Sequence, residues 1–186
     1  MTIIITLPHF FEGEAEMIAS FLEEGIADLV HIRKPGASEE AVEQLIQQIL
    51  AAVPNESSSV NNRLVIHDHH RLAVKYALHG IHLNGRFPTA PDEWQGSISR
   101  SCHSLEELKA WKDRCNYLSL SPIFDSISKK GYMSAFSEEE IRRAHQEGII
   151  DEKVVALGGV TFSKLEKVKE MGFGGAMILG DAWDKL

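Results

Sequence analysis

Eight short strand-like runs, most of them apolar, recur along the chain, and helical patterns separate most of them. The runs occupy residues 3–7, 29–32, 64–66, 80–83, 97–99, 117–120, 154–157 and 176–179. Short apolar runs that alternate with helices are typical of a parallel sheet covered by helices. Eight is also the number of strands that closes a (β/α)8 TIM barrel. The sequence therefore predicts a compact α/β barrel, and an open doubly wound sheet is the structural alternative.

Helical periodicity fills most of the intervals between these runs. The predicted helices cover residues 14–24, 38–53, 71–77, 104–114, 137–147 and 163–170. Two of them begin with a capping side chain: Ser38 precedes acidic residues, and Ser104 stands three positions before Glu107, which is the spacing of a capping box. The segment after Leu83 is too rich in proline for a long helix.

The length of the chain favours one domain with short loops. Its 186 residues allow about 23 residues for each βα unit, whereas a typical barrel of this kind has about 250 residues in all. The polar segment 54–62 is too short to separate two domains. We therefore expect a single barrel domain over residues 1–186.

Charge and cysteine content limit the partners and the compartment. The chain has 19 basic and 27 acidic residues and a formal charge of −8, which argues against nonspecific binding of nucleic acid but allows a local cationic pocket. The apolar start has no basic residues and is interrupted by Pro8, so neither a signal peptide nor a membrane span is expected. Two cysteines are too few for a disulfide scaffold. A cytoplasmic protein that contacts neither membrane nor nucleic acid is the simplest expectation.

Polar residues follow several of the predicted strands, where the active sites of such barrels lie. Arg33 and Lys34 follow the second strand, His67 and Asp68 the third, and residues 100–103 the fifth. The loop after the sixth strand, residues 121–131, carries hydroxyl groups, Lys129 and Lys130. We expect the four cations, Arg33, Lys34, Lys129 and Lys130, to face a phosphate-rich pocket. The excess of acidic residues is expected on the outer surface.

Glycines follow the last two strands, at Gly158, Gly159 and Gly180. Glycine lets backbone N–H groups approach an anion closely, and the corresponding loops are the usual phosphate site of these barrels. A pair of glycines is also common in an ordinary turn. The sequence leaves both interpretations open.

Other polar residues have two interpretations each. Asp68 is either a magnesium ligand or a cap of the following helix. His67 and His69, two apart on an extended chain, would point to the same side and could bind zinc or iron, as in a metal-dependent hydrolase. His82 lies in an apolar strand and is interpreted as a barrel-lining residue, whereas His103 suits either hydrogen bonding at a helix start or acid/base chemistry. Cys102 is treated as a small neutral residue.

Six segments, taken in order, resemble the thiamine phosphate synthase family and its close relatives, the thiazole tautomerases. They are VHIRK at 30–34, LVIHD at 64–68, GIHL at 80–83, SCHSLEE at 101–107, SPIFDSISK at 121–129 and ALGGV at 156–160. Each segment is weak by itself, but the order and spacing together are specific. The resemblance extends from Leu29 to Gly180 and implies a (β/α)8 barrel.

The resemblance implies a transferase of thiamine biosynthesis, which couples hydroxymethylpyrimidine diphosphate to thiazole phosphate and releases diphosphate. Arg33 and Lys129 match diphosphate-binding residues, Asp68 matches a ligand of Mg²⁺, and Ser101 matches a serine of the pyrimidine site. The catalytic candidates are thus Ser101, His103 and Lys129. The other substrate-binding candidates are His31, Lys34, His67, Gly158 and, at the positions that hold thiazole phosphate in the family, Ser126, Ser128, Gly159, Leu179 and Gly180. The partners implied are these small phosphorylated substrates, and a homo-oligomer is compatible with the resemblance because such relatives often self-associate.

The sequence departs from the family pattern at several of these positions. His31 and His67 stand where the family commonly has glutamine and asparagine, and the second cation after Arg33 is displaced by one residue. The second magnesium aspartate of the family falls near Phe87, where this chain has no acid; Asp92 is a candidate substitute. Because losing a carboxylate weakens Mg²⁺ binding, two further hypotheses stay open: a thiazole tautomerase that uses His103 for proton transfer, and a non-catalytic protein that binds thiazole phosphate or thiamine phosphate.

Overall fold

Eight strands form a closed parallel barrel and follow one another around it in chain order. This is a computed structural model, and it describes residues 1–53, 60–125 and 134–184. The strands are β1 Thr2–Ile5, β2 Leu29–Ile32, β3 Leu64–Ile66, β4 Gly80–Leu83, β5 Ser97–Cys102, β6 Tyr117–Leu120, β7 Val154–Ala156 and β8 Gly175–Ile178. The predicted (β/α)8 barrel is confirmed, and the open-sheet alternative is wrong.

Helices occupy most of the crossovers between strands. They are α1 Glu14–Glu23, α2 Glu39–Ala52, α3 Arg71–Lys75, α4 Leu105–Trp111, α5 Glu138–Gln146, α6 Leu165–Glu170 and α7 Gly180–Trp183, with single 3₁₀ turns at Asn61–Arg63 and Phe162–Lys164. Residues 84–96, which connect β4 to β5 and are all described by the structure, contain no helix. This agrees with the prediction from their prolines. The short helix α7 was not predicted, since four residues are too few to show a helical period.

Strand β5 is longer than its hydrophobic pattern indicates. Residues 100–102, which we expected to follow the strand, lie inside it and pair with β6, as in the register Ser101 to Ser119. Polar residues join this strand because hydrogen bonding to β6 continues past the apolar run. His103 is therefore the first residue after β5.

The chain consists of two compact units, residues 4–97 and residues 1–3 with 98–186. In the first unit the buried side of α2 comprises Val42, Leu45, Ile46 and Ile49, the three-and-four spacing of an amphipathic helix. Its start is capped as predicted, because the Ser38 side chain accepts a hydrogen bond from the Ala41 N–H. Full burial of each such aliphatic side chain contributes about 1.5–3 kcal/mol.

In the second unit, both cysteines are buried free thiols. Burial raises the pKa of the Cys102 thiol to about 12, so it is neutral at physiological pH, in keeping with its interpretation as a small neutral residue. As for membranes, none of the helices in the described parts of the chain has the length and apolar character to cross a bilayer.

Candidate active site

Three buried histidines meet inside the first unit. His31 lies in β2, His67 directly follows β3 and His82 lies in β4. The Nδ1 atom of His31 is 2.9 Å from Nε2 of His67, and the rings of His67 and His82 are stacked with centroids 4.1 Å apart. Burial is the main cause that lowers the pKa of His31 and of His67 well below the ordinary value, and His82 lowers both further. Both imidazoles are therefore neutral near pH 7.

His69 does not belong to this group, so the predicted pairing of His67 with His69 is wrong. Its backbone has a φ of 54°, a left-handed conformation that breaks the alternation of an extended chain. Its side chain lies instead beside the start of α2, with Nε2 at 2.9 Å from the Ala37 carbonyl oxygen and Nδ1 at 3.7 Å from a Glu39 carboxylate oxygen. The hydrolase hypothesis loses the ligand pair on which it was based.

Arg33 follows β2 on a backbone that is clamped by a buried threonine. The Thr6 hydroxyl accepts a hydrogen bond from the Arg33 N–H at 2.9 Å and donates one to the Arg33 carbonyl at 3.2 Å. The side chain of Thr6 is fully buried, whereas Arg33 is partly exposed. Sequence reasoning did not single out Thr6, because a polar residue at the end of an apolar run carries no signal of its distant partner.

Lys34 is placed differently from the prediction. Its ammonium group is buried and forms an ion pair of 2.5 Å with Glu14, the first residue of α1. It also donates hydrogen bonds to the carbonyl oxygens of Leu7, at 2.9 Å, and His9, at 2.7 Å. An ammonium group has three N–H donors, and all three are used within the protein. The substrate-binding role that we predicted for Lys34, and its place in a phosphate pocket, are therefore wrong.

Asp68 is a buried carboxylate with a free oxygen. Its Oδ1 atom is buried and has no hydrogen-bond partner among the described residues, and its Oδ2 atom is 3.6 Å from a guanidinium nitrogen of Arg86. The residue before α3 is His70, and α3 has no side-chain cap, so the capping interpretation of Asp68 is not borne out. An uncompensated carboxylate oxygen at the end of a strand is what a bound cation would satisfy.

The segment that lacks the second aspartate is a tight turn. The side-chain oxygen of Asn84 accepts hydrogen bonds from the N–H groups of Arg86, at 2.9 Å, and Phe87, at 3.1 Å. This turn brings Arg86 beside Asp68, where a second acid was expected from the resemblance. Nothing in the sequence pattern indicated this contact, because it depends on the conformation of the turn.

Mg²⁺ fits this place with one protein carboxylate. Of the residues that the structure describes, the only group of three or more histidine, cysteine, aspartate or glutamate ligands is the histidine cluster, and it contains neither Asp68 nor Asp92. Since Mg²⁺ commonly keeps waters and binds one or two carboxylates together with substrate phosphates, Asp68 by itself is compatible with the ion.

Two more predicted residues, Ser101 and His103, lie in the second unit. Ser101 is in β5, and His103 directly follows this strand. The hydroxyl oxygens of Ser101 and Ser119 are 3.5 Å apart, which is at the limit of a hydrogen bond. The exposed His103 places its Nδ1 atom 3.2 Å from the Ser121 hydroxyl. The N–H of His103 donates to the Glu107 carboxylate at 2.6 Å, and Ser104 caps α4 as predicted. The backbone of His103 thus takes part in the helix start, while its side chain points to the end of β6.

The Gly158–Gly159 turn packs against the chain that follows β6. Both glycines have positive φ, 91° and 62°, a conformation that strongly favours glycine. A Cβ atom on residue 159 would lie 2.8 Å from the Phe124 carbonyl oxygen. This packing alone requires glycine, so the pair is not by itself a sign of phosphate binding.

Gly180 differs, because a Cβ atom there would meet no atom within 4 Å. We expect Gly159→Ala to lower the free energy of unfolding by about 2 kcal/mol and Gly180→Ala to change it by less than about 0.5 kcal/mol. Urea denaturation of the two variants measures the difference. Equal stabilities would contradict the structural role of Gly159.

Ser126, Ser128, Lys129 and Lys130 lie outside the described residues. Leu179 lies directly before α7, and Gly180 is its first residue. The roles of these six residues stay predictions.

Comparison with known proteins assigns the family. The sequence profile of the thiamine monophosphate synthase family matches residues 2–180. The chain belongs to this family. A curated thiamine-phosphate synthase from Photorhabdus laumondii is 28% identical to this family member over 168 residues, which cover 87% of this chain and 75% of that protein.

Solved structures of thiamine phosphate pyrophosphorylases resemble this family member over almost its entire length. The crystal structure from Bacteroides thetaiotaomicron has 39% sequence identity and a TM-score of 0.84, covering 100% of this chain and 85% of that one. The protein from Pyrococcus furiosus, at 18% identity and a TM-score of 0.70 over 96% of this chain and 84% of that one, shows the shared fold alone. The resemblance found in the sequence is confirmed at the level of the family.

Proposed function

We propose that the protein is a thiamine phosphate synthase, a transferase that joins hydroxymethylpyrimidine diphosphate to thiazole phosphate and releases diphosphate. The observation that carries this proposal is the match to the Bacteroides thiamine phosphate pyrophosphorylase, which spans the whole chain at 39% identity. The family matched by residues 2–180 has the same description. The function places the enzyme in thiamine biosynthesis with two small phosphorylated substrates.

Charge on the departing diphosphate is the main electrostatic problem of this reaction, and Arg33 and Asp68 are assigned to it. Arg33 has a partly exposed side chain on a backbone held by Thr6, and its guanidinium group would bind the phosphate oxygens. Asp68 would hold Mg²⁺, which supplies positive charge to the leaving group when bound. Arg86, beside Asp68, adds a cation at the position where the second family carboxylate is missing.

The remaining candidates are assigned to the pyrimidine ring and to the thiazole phosphate. His31 and His67 are neutral and buried, which suits hydrogen bonding to an uncharged pyrimidine ring. Ser101 is assigned to the same ring. The open space around Gly180 is compatible with close approach of a phosphate to its backbone, and Gly158, Gly159 and Leu179 are assigned to the same phosphate together with Ser126 and Ser128.

The decisive experiment is a coupling assay with the purified protein, both substrates and Mg²⁺. We expect thiamine phosphate and diphosphate to appear in equal amounts. If none forms at protein concentrations where a known synthase turns over, the proposal fails. Isomerisation of the thiazole without coupling, abolished by His103→Ala, would replace it with a tautomerase.

Lys129 offers a test of the diphosphate assignment. We expect Lys129→Ala to lower the coupling rate roughly 100-fold, because a cation that stabilises the leaving group acts mainly in the transition state. The control Lys75→Ala removes an exposed lysine that is paired with Glu43 and should have a much smaller effect. Steady-state rates with both substrates saturating measure the difference, and equal losses in the two variants would contradict the role of Lys129.

A further inference from the structure

The register of three adjacent strands brings His31, His67 and His82 together. Residues His31 and Val65 are partners across β2 and β3, and Val65 and Gly80 are partners across β3 and β4. Side chains alternate between the two faces of a strand, so residues two apart share a face. His67 lies two residues after Val65, and His82 lies two residues after Gly80. Both histidines therefore lie side by side on the face that also carries His31. The meeting of the three rings is therefore a consequence of backbone pairing and does not depend on loop conformation.

The three side chains offer a set of nitrogen ligands only. One ring nitrogen from each histidine can be chosen so that all three lie within 4.8 Å of one another, and Nδ1 of His31 and Nε2 of His67 share a hydrogen bond at 2.9 Å. Tetrahedral Zn²⁺ with bonds of 2.0–2.1 Å places its ligand nitrogens about 3.3 Å apart. Rotation of the rings would have to change the separations of these nitrogens by up to about 1.5 Å to reach this spacing.

Chemistry selects the class of ion. Imidazole nitrogen suits Zn²⁺, Co²⁺, Ni²⁺ and Cu²⁺, whereas Mg²⁺ and Ca²⁺ require oxygen ligands. The His67 backbone is also fixed, because its carbonyl accepts hydrogen bonds from the side chains of His70, at 3.2 Å, and Asn84, at 3.4 Å. We propose that His31, His67 and His82 form a three-histidine binding site for a transition-metal ion of the Zn²⁺ class, chemically separate from the Mg²⁺ place at Asp68.

The site goes beyond the proposed synthase activity and does not depend on it. Three histidines leave a fourth position of a tetrahedral ion for water or another ligand. Since His31 and His67 are also assigned to the pyrimidine ring, an ion held there would change the properties of that pocket. Metal binding is nevertheless testable with the protein alone, so its failure is distinguishable from failure of the coupling reaction.

The test uses the full chain without a polyhistidine tag, stripped of metal by a chelator and then titrated with Co²⁺ in the absence of substrates. We expect one equivalent of Co²⁺ to bind with the visible absorption of a four-coordinate ion. One equivalent of Zn²⁺ should displace it, and millimolar Mg²⁺ should not. X-ray absorption of the Zn²⁺ form should show three imidazole nitrogens at about 2.0–2.1 Å.

Variants identify the ligands. His31→Gln and His82→Gln should each weaken binding by more than the roughly 10–100-fold that loss of an outer-shell partner costs. The matched control is His69→Asn, which removes a nearby imidazole outside the cluster and tolerates the positive φ. Absence of stoichiometric binding by the unsubstituted protein overturns the proposal, as does binding unchanged in both glutamine variants. If those variants do not fold, fewer than three imidazole ligands in the absorption spectrum of the unsubstituted protein overturns it equally.

Discussion

The Lys34→Met variant should lose about 3–5 kcal/mol of unfolding free energy. The substitution removes the cation from a buried ion pair and leaves the Glu14 carboxylate without its ion-pair partner. One oxygen of Glu14 already lacks a hydrogen-bond partner among the described residues. Burial raises the pKa of Glu14 and lowers that of Lys34, while the attraction between the two opposes both shifts. Urea denaturation monitored by circular dichroism measures the loss.

Two further variants separate this ion pair from general effects of charge removal. The double variant Lys34→Met/Glu14→Leu should recover a part of the stability, since no uncompensated charge stays buried, although the carbonyls of Leu7 and His9 still lack their donor. The control Lys75→Met removes an exposed lysine paired with Glu43 and should change stability far less. A Lys34 variant with unchanged stability and a raised KM would restore the substrate role that the sequence suggested.

The Asp68→Asn variant should lower the coupling rate roughly 100-fold or more without loss of stability. The expected loss of rate follows from the proposed role of this carboxylate in holding Mg²⁺. Stability should stay equal or rise, because the substitution removes a buried charge. The only ion-pair partner of this charge among the described residues, Arg86, is 61% exposed and therefore compensates it weakly. Coupling rates over a range of Mg²⁺ concentrations, together with urea denaturation, measure both effects.

The matched control for this variant is Asp92→Asn, which removes the other carboxylate considered as a magnesium ligand. It should leave the rate and its Mg²⁺ dependence nearly unchanged, because Asp92 belongs to no group of three or more metal ligands among the described residues. Full activity of Asp68→Asn would contradict the magnesium assignment. A similar loss in both variants would show that Asp92 shares the site.

The elements of the barrel were predictable because each is a local pattern. Strand β2, for example, was predicted with its observed bounds, since a short, mostly apolar run between polar segments is typical of a strand covered on both faces. The caps Ser38 and Ser104 were predictable for the same reason, as their hydrogen bonds span three residues. Strand β5 was predicted too short, because its last three residues are held by pairing with β6 and not by hydrophobicity.

The candidate site was predictable only in part, since its residue types are local and their partners are distant. Lys34 was expected in a phosphate pocket on account of its position after a strand, yet its ammonium group is used by Glu14, 20 residues away. Arg86 was overlooked because the turn at Asn84 decides its direction. His69 was assigned the extended geometry of a strand end, whereas its positive φ turns the side chain toward α2.

The sequence by itself determined the α/β class, the number of strands and the family, because these follow from periodicity along the chain and from the order of short motifs. Tertiary structure alone decided which polar groups form hydrogen bonds or ion pairs within the protein and which lack such a partner among the described residues. The register of strand pairing brings His31, His67 and His82 together in one cluster. Lys34 forms a buried ion pair with Glu14. One buried oxygen of Asp68 has no hydrogen-bond partner among the described residues. The physical reason is that hydrogen bonds and ion pairs between distant residues depend on positions in space, which hydrophobic spacing does not encode.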